Sequence, residues 1–344
     1  MSFRPFALDV ACALLATPVH AADKILWQVP WKPGTTLTYA TELLTDEQRG
    51  AQHSKQRATD TTRVRITQAT LDGFVQSWTS TDPSIETLAG DDRDAQLMRA
   101  FVRSADGLAL EVELDKAGNY ARVHNLDVVV PRMRAAFRPM LLAGVEDSVA
   151  KLPEKDRAVV RERSLAQVDA MVERLLQPEV VSALMTRTIQ TYNAFVGLDV
   201  EPGMTYTVDT ELPNPIAQKP FPAKLSVTLT VSEEDADDLF IDYVQEIDSQ
   251  KAMDALIATG EKMLGHTLTE AERKAPLEFD VRDEGFFVVH RRTGVVEMFE
   301  NTRTQVINGT RKTERNRMRQ IDGDHAHTWK EAPAATADTA AGQG

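Results

Sequence analysis

Two stretches of this chain nearly repeat each other. Lys32 to Leu43 and Glu201 to Leu212 share seven of twelve positions, and Leu110 to Gly118 matches Leu277 to Gly285 at almost the same spacing, the offset changing only from 169 to 167 residues. Collinear matches at a nearly constant offset are the mark of an internal duplication, which constrains the architecture before any local element is read.

In the first copy Pro33-Gly34 makes a turn, and Thr36 to Leu44 alternates as a half-buried strand does. Arg63 to Leu71 and Phe74 to Ser80 flank Asp72-Gly73, a hairpin signal. Within 84–104, Leu97, Phe101 and Val102 fall at helical spacing, and Leu108 to Leu114 with Tyr120 to His124 forms a hairpin around Gly118. The second copy repeats this order. A strand over 204–212 precedes the loop Pro213 to Pro215, strands Leu225 to Val231 and Leu239 to Ile247, a helix around 249–264, and a hairpin over 277–290 turning at Asp283 to Gly285. Two more strands, 295–307 and 310–321, meet at Asn308-Gly309.

Between the copies lies a helical stretch. Met133, Phe137, Leu141, Val145 and Val149 stand four apart, one apolar stripe on a helix. Pro153 and Pro178 open two more helices, since proline's missing N–H has no partner in a first turn anyway; these carry Val160, Val168, Met171 and Leu175, then Val181, Leu184, Tyr192 and Phe195. The helices either complete the core on one sheet face or close over a ligand cavity. The fold class is α+β: two duplicated antiparallel β units of order βββ-helix-ββ, with a three-helix segment inserted between them. The units join as one curved, half-barrel-like sheet or stand as two lobes. The domains are an export signal over 1–21, β-rich repeats over 22–130 and 198–330, the helical segment over 131–197, and a disordered tail over 331–344 with no large apolar residue to bury.

The export reading rests on Arg4, the mostly apolar run Val10 to Val19, and a cut after Ala21, so that the mature chain begins near Ala22 in the periplasm or outside the cell. Cys12 is the only cysteine and lies in that signal, which leaves the mature chain without disulfide or thiol chemistry. Lipidation at Cys12 competes with this, but Asp9 stands where an apolar residue is expected. No apolar window reaches the ~20 residues of a membrane span. A formal charge of −13 argues against a nucleic-acid binder, which needs a basic footprint.

Few residues carry chemistry. Arg311, Arg315, Arg317 and Arg319 share one face of the last strand and are candidates for phosphate or carboxylate head groups, or else guard a strand face by pairing with acids such as Glu111 and Glu113. Asp324, His325 and His327 are the candidate metal ligands, with both imidazoles on one side of an extended chain. Gly260, Gly265 and Thr267 imitate a phosphate loop, but His266 replaces the lysine that must reach the phosphates. The acidic run Glu233 to Asp238 lacks calcium-loop spacing and reads as a solvated turn. Trp27, Trp31 and Trp78 read as core, and the histidines at 53, 124, 266 and 290 stand alone. No nucleophile elbow, dinucleotide turn or cysteine pair is present, and nothing calls for a cofactor.

In outline, a curved antiparallel sheet with helices over one face, exported and free of cysteine, is similar to the half-barrel lipoprotein carriers of the Gram-negative envelope. The likeness is one of architecture, and no string of residues carries it. The first functional expectation is binding of a lipid or other apolar ligand without catalysis. The second is a structural or assembly role with an envelope protein as partner, and the third an envelope hydrolase, which needs scattered acids and histidines to converge in one cleft. Oligomeric state is left open by the sequence.

Overall fold

The computed structural model describes residues 24–27, 31–90, 93–212, 221–233, 235–254 and 278–323, with the single residues 257, 267 and 269. After the short β1 (Ile25–Leu26), strands β2 (Thr36–Arg49), β3 (Gln52–Ala69) and β4 (Gly73–Ala89) form a long meander. Helix α1 (Arg93–Ser104), β5 (Ala109–Asp115) and β6 (Tyr120–Val123) follow, then α2 (Leu126–Ala150), α3 (Glu154–Leu175) and α4 (Pro178–Tyr192) in succession. The remainder is β7 (Asp199–Val200), β8 (Thr205–Leu212), β9 (Phe221–Val231), β10 (Asp238–Ile247), a helical stretch over 249–254, β11 (Phe279–His290), β12 (Val296–Ile307) and β13 (Thr310–Gln320). Strands β1 and β7 pair with each other.

All other strands form one antiparallel sheet of eleven, unclosed, in the order β6-β5-β4-β3-β2-β13-β12-β11-β10-β9-β8. The first long strand and the last one pair in its middle, Tyr39 opposite Gln320 and Arg49 opposite Thr310. The chain therefore builds one unclosed antiparallel sheet of these strands. Alternation assigns the faces. In β5, Leu110, Val112 and Leu114 are buried while Glu111 and Glu113 point the other way. The β12–β13 turn sits at Asn308 and Gly309 with φ of 49° and 73°, the left-handed pair that a two-residue hairpin demands.

The helices cover one face, called inner here. Val129, Val130, Met133 and Phe137 of α2, Val168 and Val172 of α3, and Val181, Ile189 and Tyr192 of α4 join the buried residues of that face in one core. At its centre Tyr192 meets the edge of Trp78 at 5.1 Å, Phe195 packs on Tyr243 at 5.0 Å and Phe287 at 5.5 Å, and Phe287 stacks on Phe299 at 4.9 Å. The three tryptophans are buried as expected, and the Trp27 indole N–H donates to the Gly294 carbonyl at 2.9 Å. A second cluster, with Leu212, Phe221, Ile247, Phe279 and Val281, lies under Ala252 and Met253 of the 249–254 stretch.

Several expectations need correction. Residues 279–290 are one continuous strand and no hairpin turns at Asp283 to Gly285. The glycine is there for another reason: a Cβ on Gly285 would lie 2.2 Å from the Glu300 carbonyl oxygen and 3.0 Å from the Tyr243 ring. Helix α2 begins at Leu126, five residues before Pro131, because Asn125 ties its start to the sheet. The Asn125 side chain accepts from the Glu111 N–H and donates to the Ala109 carbonyl, both at 2.9 Å. Strand β3 begins at Gln52, well before the expected Arg63, β4 runs on to Ala89, well past the expected Ser80, and Leu184, Met171 and Val160, read as stripe residues, are exposed. The expected export signal with Cys12, the tail over 331–344 and most of the expected 249–264 helix lie outside the described residues.

Candidate functional site

The pairing register lays the inner face out in rows. One row runs Ile85, Ala58, Leu43, Asn316, Asn301, Gly285 and Tyr243 across β4, β3, β2, β13, β12, β11 and β10. Two helices stand over this row. Helix α1 is tied to β4 through Arg99, whose Nε donates to the Ile85 carbonyl at 3.1 Å, and α4 is tied to β13 through Thr188, which accepts from Asn316 Nδ2 at 2.8 Å. Ile85 and Asn316 are three strand spacings apart, about 14 Å, somewhat more than the diameter of one helix. Between the two anchors the row continues as Ala58 and Leu43, the floor of the groove proposed below. Leu43 stays 38% exposed, Leu184 of α4 56% and Met98 of α1 48%.

One row further toward the core, Asp60 faces Thr41 in register. The Thr62 hydroxyl donates to Asp60 Oδ1 at 2.7 Å and itself accepts from Thr41 at 3.1 Å. Burial pushes the Asp60 carboxyl up, against the hydroxyls of Thr62, Ser80 and Thr41 that favour its charged form. On the other side of the groove floor the row Thr45, Glu314, Arg303, Asp283 and Gln245 carries charge onto the same inner face. Arg303 grips Asp283 with two parallel bonds, Nε to Oδ1 at 2.6 Å and Nη2 to Oδ2. Glu314 receives Arg187 from α4 and Lys312 from its own strand, the latter at 2.8 Å. Burial would raise the Glu314 carboxyl, yet Arg187 and Lys312 outweigh it and hold it at about 2. The inner face is thus apolar under α2 and α4, polar in a band across β13 to β11, and apolar again under the 249–254 stretch.

This charged band is not apparent from the sequence. Its one signal is that β13 is polar on both faces up to Met318, with Lys312, Glu314 and Asn316 at the positions where an ordinary half-buried strand keeps apolar residues.

Arg311, Arg315, Arg317 and Arg319 do share a face, the outer one, opposite the groove. Their neighbours differ from those expected. Arg317 pairs with Glu300 and Glu42, while Glu113 belongs to Arg122 and His124 four strands away. Asp324, His325 and His327, and the imitation phosphate loop up to His266, lie outside the described residues. Among the described residues no three His, Cys, Asp or Glu side chains gather where they could hold a metal ion. The acidic run forms a tight turn, with Ser232 N–H bonded to the Asp238 carbonyl at 2.9 Å and Asp237 paired with Arg292. His53 meets Asp46, His124 meets Glu113, and His290 is buried against Thr293. No described helix is long and apolar enough to cross a membrane.

No protein-family model and no curated protein matches this chain. A solved structure described as lipid-protein interactions in lipovitellin is similar over 88% of this chain and 26% of that one, at 7% identity and a TM-score of 0.43. The chain spans about a quarter of that chain's length, and a likeness at this level carries no argument about ligand or mechanism.

Proposed function

We propose that this chain is a non-catalytic binding protein of the cell envelope that holds a lipid or other apolar molecule in the groove between α1 and α4. The observation that carries the reading is the row Ile85, Ala58 and Leu43, apolar side chains in register on the inner face that the helices flank without burying. Apolar surface kept on the covered side of a sheet costs hydration free energy unless something occupies it. The core beneath α2 and α4 is filled by aromatic rings, so the ligand would lie beside the helices and not under them. Export to the envelope is part of the proposal and rests on the character of residues 1–21.

The duplication belongs to the same proposal. Each half runs three strands, a helical stretch and two strands, and the sheet orders them in the same direction, β6 to β2 and β12 to β8, with β13 between the halves. A groove in the first half then corresponds in place to the second apolar cluster, where Ala252 and Met253 supply the cover.

The test is organic extraction of the protein purified from its own host, with mass spectrometry against a mock purification, for the wild type and for Ala58→Trp. A stoichiometric apolar molecule on the wild type, lost when the indole fills the groove floor, supports the reading. A clean extract that stays clean after the protein is offered total envelope lipid ends it.

A further inference from the structure

We propose that the outer face of β3, β2, β13 and β12 docks on an anionic lipid surface by binding its phosphate head groups. Register places Arg311, Arg315, Arg317 and Arg319 of β13 on this face, with Lys55, Arg57, Arg63 and Arg65 of β3 on the same side. Against these eight cations the four strands turn only three carboxylates outward, Glu42, Asp46 and Glu300. That excess is local, since the whole chain has a formal charge of −13. Lys55, Arg57 and Arg317 pair with those carboxylates, and the remaining net-basic patch on a protein of the opposite sign is a directed electrostatic feature that fits an anionic partner.

The residue type narrows the partner. Seven of the eight cations are arginine, whose planar fork binds phosphate oxygens two at a time. Arg311 and Arg319 lie about 26 Å apart along β13, and β3 runs two strand spacings, about 10 Å, to its side. The patch is therefore broad enough to meet several phosphates at once, as a head-group layer presents them. Apolar residues are interleaved with the charges: Leu44 sits between Arg315 and Arg57 in register, Met298 beside Arg319 and Val306 beside Arg311. Such a mixture suits the boundary of a bilayer better than an extended soluble polyanion. Arg63, Arg65 and Arg311 extend into solvent, where head groups can reach them. Docking uses the face opposite the groove and is independent of whether the groove holds a ligand.

The experiment is sedimentation of the full chain with vesicles of phosphatidylcholine alone and of phosphatidylcholine with phosphatidylglycerol. Two double variants, R63Q/R65Q and R311Q/R315Q, leave the Arg317 ion pairs intact, and matching thermal melts establish that they fold. Binding is expected to anionic vesicles only, to weaken as salt rises, and to fall roughly thirtyfold in each double variant, from the contribution typical of each basic residue near a charged membrane. Equal binding to both vesicle types, or variants that bind like the wild type, overturns the proposal. So does wild-type binding to dextran sulfate without binding to anionic vesicles, which points to a soluble acidic partner.

Discussion

Helix α4 is fastened to the centre of the sheet by one partly buried charge, and removing it gives a defined loss. Glu314 is 17% exposed and takes Arg187 of α4 and Lys312 of its own strand. Its carboxyl stands at about 2 in the folded chain against an ordinary value of 4.5, a gap worth roughly 3 kcal/mol of folding free energy at neutral pH. Arg187 is 41% exposed, so solvent screens its share, and the expected cost of Glu314→Gln is roughly 1–2 kcal/mol. The pH dependence follows from the sign. A carboxyl whose folded pKa is depressed stabilises the fold above its unfolded value and loses that contribution as pH falls through the folded one. Urea denaturation of the wild type and of Glu314→Gln at intervals from pH 7 to pH 2 should show a constant difference down to about 4.5 and a closing one from there toward about 2. A double-mutant cycle with Arg187→Gln isolates the helix-to-sheet part from the Lys312 part. A difference that does not change with pH, or a coupling energy within error of zero, refutes the claim that this pair fastens α4.

Three further outcomes are expected. Tyr39→Phe removes a hydroxyl that bonds to the Tyr192 hydroxyl at 2.8 Å and donates to the Val296 carbonyl at 2.9 Å, so two buried groups lose a partner at roughly 1–3 kcal/mol in chemical denaturation. Gly285→Ala drives a methyl into the Glu300 carbonyl and the Tyr243 ring, and a loss of roughly 1–3 kcal/mol, with altered near-ultraviolet circular dichroism, is expected; a variant as stable as the wild type would falsify the packing account. Burial holds the Asp60 carboxyl above its ordinary value, so its contribution is present below the unfolded pKa and lost as pH rises through the folded one. Asp60→Asn should therefore be at least as stable as the wild type at pH 7, with the gap shrinking on acidification.

The strands were legible wherever one face is apolar. β5, with Leu110, Val112 and Leu114 against Glu111 and Glu113, shows why: a period of two survives in the sequence when only one side meets the core. The same logic failed in β11, where Gly285 reads as a turn because nothing local records that the Tyr243 ring needs its missing Cβ. It failed again for α2, where the helical segment reads as beginning at 131 although Asn125 launches the helix from the sheet. The arginine face was visible from spacing alone. Its partners were not, since the pairing of β13 with β2 joins residues about 270 apart in sequence and no local pattern encodes it. The apolar row is illegible for the same reason: Ile85, Ala58 and Leu43 become neighbours only through two registers.

The central position of β13 links the two proposed surfaces. On its inner side Met318 is fully buried between Thr41 and Phe299, and Asn316 and Glu314 hold α4 beside the groove. On its outer side the alternating residues are the arginines of the basic face. A strand of this kind cannot slip by one residue, because a slip would bury arginine and expose methionine. The register that builds the groove therefore also builds the basic patch.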